Sequence, residues 1–139
     1  MINRFFASLL VAAVVGALGV AASYAAESSH LLDGKTFVGK NGEKGHPLAT
    51  VEGEALIFAD GLFTSGSCEP YNFGSSEYST KVEGSRIYFE VVTISPSHGQ
   101  IAWQGVVDGD VAQATFVWTK ERWYWDTRRE YWFKGTLKQ

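Results

Sequence analysis

Short alternating runs of residues, separated by tight turn signals, constrain the fold of this chain more than any other feature. Asp60-Gly61 and Asp108-Gly109 each separate two such runs. An Asp-Gly pair tolerates the positive φ angles of a two-residue hairpin turn, and the three residues 83–85 have the same role in a third hairpin. The predicted strands are 35–40, 55–59, 62–67, 77–82, 86–94, 100–107, 110–119 and 130–138. After the first strand, Asn41-Gly-Glu-Lys-Gly45 predicts a glycine-rich turn.

Alternation within these runs predicts one buried and one solvated face. Ile87, Phe89 and Val91 fall on one side of their strand, and Arg86 and Glu90 fall on the other. No helical period is long enough to compete. The predicted fold class is therefore all-β, an antiparallel up-and-down meander of about eight strands. The predicted architecture is a small closed barrel, because closure removes the exposed edges of the sheet. A β-sandwich is the alternative. Charges on the outer face disfavour a membrane-spanning barrel.

The N-terminal 25 residues have the pattern of a secretory signal. Arg4 precedes an uncharged stretch rich in Ala, Val, Leu and Gly, and Ser23 and Ala25 are the small residues expected before a cleavage after Ala25. We therefore predict a signal peptide at 1–25 and a single β-barrel domain at 26–139. The exported domain would be periplasmic or secreted, with no stable membrane span after removal of the signal. An uncleaved membrane anchor is the alternative.

Charge and cysteine content narrow the possible partners. The chain has 12 basic and 15 acidic residues, for a net charge of -3, which excludes a strongly basic nucleic-acid binder. Its one cysteine, Cys68, cannot form an internal disulfide. In an oxidising compartment such a thiol is either buried or available to a partner, and we expect it to be buried and unreactive.

Three segments of the sequence resemble segments of a known protein family. Leu32-Asp-Gly-Lys-Thr-Phe-Val-Gly39, Cys68-Glu-Pro-Tyr-Asn-Phe-Gly74 and Glu130-Tyr-Trp-Phe-Lys-Gly-Thr-Leu137 bracket nearly the whole predicted domain. In these segments the chain resembles a family of small exported bacterial proteins of uncharacterised function. Its meander is also similar to the calycin superfamily of lipocalin-like barrels, with Gly34-Lys35-Thr36 where lipocalins have Gly-x-Trp. The calycin resemblance implies a small apolar or aromatic ligand inside the barrel.

The sequence contains few of the patterns that are typical of catalytic or metal-binding sites. His30, His46 and His98 have no ligand spacing, so no metal site is predicted. The Gly-x-Ser-x-Gly pattern of hydrolases is absent from the sequence, and no cofactor is indicated. If the protein is an enzyme, a hydrolase or isomerase, Glu90 and Cys68 are the candidate reactive groups, because Glu90 has large apolar neighbours and a cysteine can act as a nucleophile.

Four of the five tryptophans lie in one aromatic tract, residues 118–133. Three large aromatics occupy positions 123–125 of its predicted connection, 120–129, and cannot all face one core, so at least one should be exposed. Arginines beside aromatic rings suit planar or anionic ligands. The alternative to ligand contact is that this connection forms a lid, which caps one end of the barrel with its own aromatic side chains. The candidate ligand-binding residues are Trp123, Tyr124, Trp125, Arg128, Arg129 and, from the interior, Trp103.

These observations favour a non-enzymatic protein that binds a small apolar or aromatic ligand, or another envelope component. The alternatives are the small barrel enzyme and a structural or stress-protective envelope protein without a ligand. Nucleic acid is not an expected partner.

Overall fold

The fold was taken from a computed structural model that describes residues 30–139, so the predicted signal peptide at 1–25 lies outside the described residues. Among residues 30–139 no helix is long and apolar enough to cross a membrane. A short 3₁₀ helix spans Gly66–Tyr71. The strands are β1 (Thr36–Glu43), β2 (Thr50–Ala59), β3 (Leu62–Ser65), β4 (Ser76–Glu77), β5 (Ser79–Glu83), β6 (Arg86–Ser95), β7 (Gly99–Asp108), β8 (Val111–Lys120) and β9 (Thr127–Leu137).

The strands form one antiparallel sheet that curls into a nearly closed barrel. Their order is β4-β3-β2-β1-β9-β8-β7-β6-β5. Every pair of sequence neighbours is therefore hydrogen-bonded except β4 and β5, which are the two edges, and β1 pairs with β9 to join the two halves. The predicted all-β meander and barrel are confirmed. Residues 30–139 contain nine strands rather than eight, because Tyr78 interrupts the predicted strand 77–82: β4 pairs with β3, whereas β5 pairs with β6.

The prediction of a glycine-rich turn beginning at Asn41 is wrong. Asn41 and Gly42 continue β1 and pair with both β2 and β9, and β2 correspondingly begins at Thr50 rather than at residue 55. The reason is pairing with a distant strand, since Phe133 and Trp132 of β9 lie opposite Asn41 and Gly42. The indole of Trp132 lies over Gly42 so closely that a Cβ there would be 2.9 Å from the ring. This aromatic covers the bare glycine on the outer face of the barrel.

The prediction for the connection at 120–129 also needs correction. β8 extends through Lys120 and β9 begins at Thr127, so the loop is only 121–126. Arg128 and Arg129 therefore lie in β9, where they pair with Thr119 and Trp118 of β8.

A bulge in β2 sets which side chains face the interior. Gly39 pairs with Glu54, but the next residue, Lys40, pairs with Glu52, which leaves Gly53 as the extra residue with a φ of 81°. A positive φ of this size is accessible to glycine at little cost. The bulge reverses the alternation, so that Glu54 faces inward on one side of it and Val51 faces inward on the other.

Aromatic side chains fill the interior toward one end of the barrel. Phe58 is at the centre of this cluster, with the rings of Phe63, Tyr78 and Phe89 about 5 Å away (5.3, 4.9 and 5.1 Å between centroids). The buried apolar residues are Leu32, Phe37, Leu56, Phe58, Phe63, Phe73, Tyr78, Phe89, Val91, Ile101, Trp103, Val107, Ala112, Ala114, Phe116 and Phe133.

The turn at 30–34 covers this same end, which we call the closed end. Leu32 is fully buried beneath the turn. Asp33 accepts hydrogen bonds from the backbone N–H of Gly61, at 3.1 and 3.0 Å, and one of 2.7 Å from the hydroxyl of Tyr78. The turn is therefore tied both to the β2–β3 hairpin and to the residue between β4 and β5.

Candidate functional site

A cavity of about 420 Å³ lies at the opposite end of the barrel. This open end carries the loops 44–49, 96–98 and 121–126 and the 3₁₀ helix. The volume is within the range of roughly 300–1,000 Å³ that is usual for small-molecule sites. The residues that line the cavity are Asn41, Val51, Ser67, Cys68, Tyr71, Phe73, His98, Ile101, Phe116, Trp118 and Tyr131.

One wall of the cavity is a stack of aromatic rings. Phe116 of β8 lies opposite Tyr131 of β9, and their rings stack with centroids 5.0 Å apart. Trp103 stacks on Phe116 at 4.0 Å. Trp118 is oriented by its indole N–H, which donates a 2.6 Å hydrogen bond to the carbonyl oxygen of His98. The wall is therefore both apolar and fixed in position.

A buried carboxylate supports the polar side of the cavity. Glu54 is fully buried, and its oxygens accept hydrogen bonds from the Asn41 amide at 3.1 Å and from the Ser65 hydroxyl at 3.0 and 3.1 Å. The backbone N–H groups of Ala55 and Ser67 also donate to it, at 2.9 and 3.2 Å, as does the Ser67 hydroxyl.

None of the ion pairs found among residues 30–139 involves Glu54, so hydrogen bonds alone compensate the buried carboxylate. Its partners Asn41 and Ser67 line the cavity. The network therefore fixes the orientation of two polar groups that face the cavity.

Cys68 lies on the cavity wall, partly buried, next to this network. Burial is the main reason that the pKa of its thiol is raised above the ordinary value of 9.0, and the nearby Glu54 acts in the same direction. A raised pKa keeps the thiol protonated near neutral pH, which is the opposite of what a cysteine nucleophile needs. His98 lines the same cavity, and its Nδ1 forms a 2.7 Å hydrogen bond with the Ser97 hydroxyl.

The sequence-predicted residues of the aromatic tract lie at the open end but outside the cavity lining. Trp123, Tyr124 and Trp125 are all exposed, which agrees with the expectation that at least one would be. Arg129 lies with its guanidinium carbon 6.0 Å from the ring centre of Trp118, and Arg128 forms a 2.7 Å ion pair with Glu130. The remaining candidate, Trp103, is buried and supports the lining from behind Phe116.

The candidate groups for an enzyme are separated. Glu90 is exposed on β6, at an outward position between the buried residues Phe89 and Val91. Cys68 lines the interior cavity at the open end. Within residues 30–139, no three His, Cys, Asp or Glu side chains converge as metal ligands would.

Sequence reasoning missed Glu54 and Asn41. A signal was present for Glu54, because it shares the inward alternation of Leu56 and Phe58, so a charged residue was to be expected in the interior. Asn41 gave no such signal, since its Asn-Gly sequence is typical of a turn.

Comparisons with protein-family models, with curated proteins and with solved structures gave no significant match. The resemblance to calycins stays a prediction, and the fold and the cavity are the basis for a functional proposal.

Proposed function

We propose that this protein is exported and binds a small, mainly apolar molecule in the cavity at the open end without changing it chemically. The observation that carries the proposal is the cavity itself, whose volume of about 420 Å³ suits a small molecule. Its aromatic wall contributes apolar contact area, since the rings of Phe116, Trp118 and Tyr131 line it. Burial of apolar ligand surface there is favourable by roughly 25 cal/mol per Å² before the costs of association are subtracted.

The polar lining suggests one further property of the ligand. Asn41 and Ser67 are oriented by their hydrogen bonds to Glu54, so they present fixed polar atoms to the cavity. Prearranged polar groups of this kind select orientation and specificity in small-molecule sites. The ligand that fits best is an apolar or aromatic molecule with one polar group.

Binding is favoured over the enzyme alternative by the state of the reactive groups. The pKa of the Cys68 thiol is raised by burial, which disfavours the thiolate. Glu90 is on the outer face and does not line the cavity.

A fluorescent probe tests the proposal. The neutral fluorophore N-phenyl-1-naphthylamine should bind with a saturable rise in emission. Val51 lines the cavity at 51% exposure, so Val51→Trp should narrow the opening without disturbing the core and weaken binding by about tenfold or more. Val82, 54% exposed and outside the cavity lining, supplies the matched control Val82→Trp. Equal binding by the two variants, or no saturable signal in the unmodified protein, would reject the proposal.

Native mass spectrometry of protein purified from the envelope of its own host would identify the ligand class. The expected spectrum contains a non-covalent addition to the mass of the chain, lost on collisional activation. An unliganded mass alone, together with no saturable probe binding, contradicts the proposal.

A further inference from the structure

Large apolar side chains are concentrated at the open end of the barrel. Leu48 is 100% exposed in the β1–β2 loop, Trp123 is 94% exposed and Trp125 is 66% exposed. Tyr71 and Tyr124 are exposed at the same end, and every exposed aromatic side chain among residues 30–139 is found there. We propose that the open end docks on the surface of a lipid bilayer, with Leu48 and the 121–126 loop inserted at the level of the headgroups.

The arrangement of the rings favours a bilayer over a sugar polymer. Trp123 and Tyr124 meet at an interplanar angle of 83°, and Tyr124 and Trp125 meet at 81°. Neighbouring rings are therefore nearly perpendicular and offer no continuous flat face on which a sugar chain could stack. Separate protruding aromatics suit the membrane interface, where Trp and Tyr place an apolar ring beside polar headgroups.

The charges behind the rings point to insertion rather than to attraction by anionic lipids alone. Arg128 and Lys44 both form ion pairs with Glu130, at 2.7 and 3.2 Å, and Arg122 donates a 3.2 Å hydrogen bond to Thr127. Lys44 and Arg128 therefore share one carboxylate, and Arg122 is held by a hydroxyl. Docking should therefore depend on apolar contact and should persist at high salt, where exposed charges are screened.

This surface surrounds the mouth of the cavity. Val51 and Tyr71 belong both to the exposed apolar set and to the cavity lining. An apolar molecule could therefore pass between bilayer and cavity with little exposure to water. Docking itself does not require an occupied cavity, so the docking proposal does not depend on the proposed ligand-binding function.

Tryptophan quenching by brominated phosphatidylcholine vesicles tests docking directly. All five tryptophans lie between residues 103 and 132, so an uncleaved signal peptide would contribute no fluorescence. We expect strong quenching at low and at high salt. Removal of the loop rings in Trp123→Ser/Trp125→Ser should leave Trp103, Trp118 and Trp132 nearly unquenched. No quenching of the unmodified protein, or undiminished quenching of these three, would overturn the proposal.

A second variant keeps every tryptophan. Leu48→Ser/Tyr124→Ser should raise the lipid concentration for half-maximal quenching by about tenfold or more, because it removes inserted apolar surface. Val82→Ser, which changes an exposed residue outside the open end, should leave that concentration unchanged. Equal lipid dependence of the two variants, or loss of quenching at high salt, would show that apolar insertion is not the mode of contact.

Discussion

The hydroxyl of Tyr78 donates a 2.7 Å hydrogen bond to Oδ1 of Asp33, although the two residues are 45 positions apart. The same hydroxyl accepts a 3.2 Å hydrogen bond from the backbone N–H of Leu32. Tyr78 is also the residue at which the sheet passes from β4 to β5. One side chain thus fastens the N-terminal turn to the point where the barrel fails to close fully.

This pair predicts a loss of stability at acid pH. The hydrogen bond from Tyr78, supported by the Gly61 N–H and by His30, holds the pKa of Asp33 below its ordinary value of 3.8. The unfolded chain therefore takes up the proton first as pH falls, so the stabilisation is present above that value and is lost as pH drops through the folded pKa. Urea unfolding should show a smaller acid dependence in Tyr78→Phe. The acid dependence that remains in this variant should include a contribution from Glu130, whose pKa is lowered by Arg128 and Lys44.

At alkaline pH the stability should depend on pH in the opposite direction and fall as pH rises. Burial and the hydrogen bond to Asp33 raise the pKa of Tyr78 above its ordinary value of 10.0. The unfolded chain then releases the proton first, so stability is complete below that pH and declines as pH rises further. Tyr78→Phe removes this decline. It also leaves the buried Leu32 N–H without its acceptor, at a cost of about 1–3 kcal/mol at neutral pH. An alkaline limb that is unchanged in the variant would contradict the assignment to Tyr78.

Glu54→Gln should destabilise the barrel by about 1–3 kcal/mol in urea unfolding, with an unchanged m value. The new NH₂ group would be placed among donors, because the N–H groups of Asn41, Ala55 and Ser67 already point at the carboxylate. Glu52→Gln is the matched control, since Glu52 is exposed on the same strand, and it should change stability by less than about 0.5 kcal/mol. Equal effects of the two substitutions would refute the importance of the network.

Gly39→Ala should be among the most destabilising small substitutions. A Cβ at this position would overlap the carbonyl oxygen of Lys134 and the Cα of Gly135 on β9. Because both obstacles are backbone atoms, β1 and β9 must separate, which we expect to cost about 1–3 kcal/mol or more. Gly74→Ala meets no atom within 4 Å and should have almost no effect. Thermal unfolding of the two variants provides the comparison.

The Cys68 thiol should react slowly with Ellman's reagent in the folded protein. Its raised pKa keeps the thiolate scarce near neutral pH, so the rate should continue to rise above pH 9.0, its ordinary pKa. The urea-unfolded chain should react at the rate of an ordinary cysteine. Fast reaction of the folded protein at neutral pH would instead indicate an activated thiol and would revive the enzyme alternative.

Local sequence was sufficient to predict those parts of the fold that depend on neighbouring residues alone. Asp60-Gly61 forms the predicted hairpin turn, and the inward positions of Phe89 and Val91 follow from simple alternation. The third hairpin also forms, but its two-residue turn is Gly109-Asp110, because Asp108 still belongs to β7 and pairs with Val111. The turn predicted to begin at Asn41 does not form, because Asn41 and Gly42 pair with a strand that is distant in sequence, and Trp132 of that strand packs over Gly42. A pattern read along the chain contains no information on such a contact.

The candidate site was predictable only in part. The exposed aromatics at 123–125 follow from their crowding in one connection. The polar side of the cavity depends on Gly53, whose bulge brings Glu54 and Val51 to the interior on opposite sides of one irregular residue. Strict alternation from Leu56 and Phe58 places Glu54 inside but assigns Val51 to the outer face, so the sequence pattern does not predict that Val51 lines the cavity.

The turn at 30–34 has a consequence for kinetics. One end of the barrel is covered, and rings such as Phe58 and Phe63 fill the adjacent interior, so a ligand bound as proposed would enter and leave through the open end. Association and dissociation then share one transition state at the 44–49, 96–98 and 121–126 loops. A loop substitution that lowers this barrier accelerates both rates by the same factor and leaves the equilibrium constant unchanged. If the cavity binds a ligand as proposed, lining residues such as Phe116 would determine affinity, and loop residues outside the lining would determine the exchange rate.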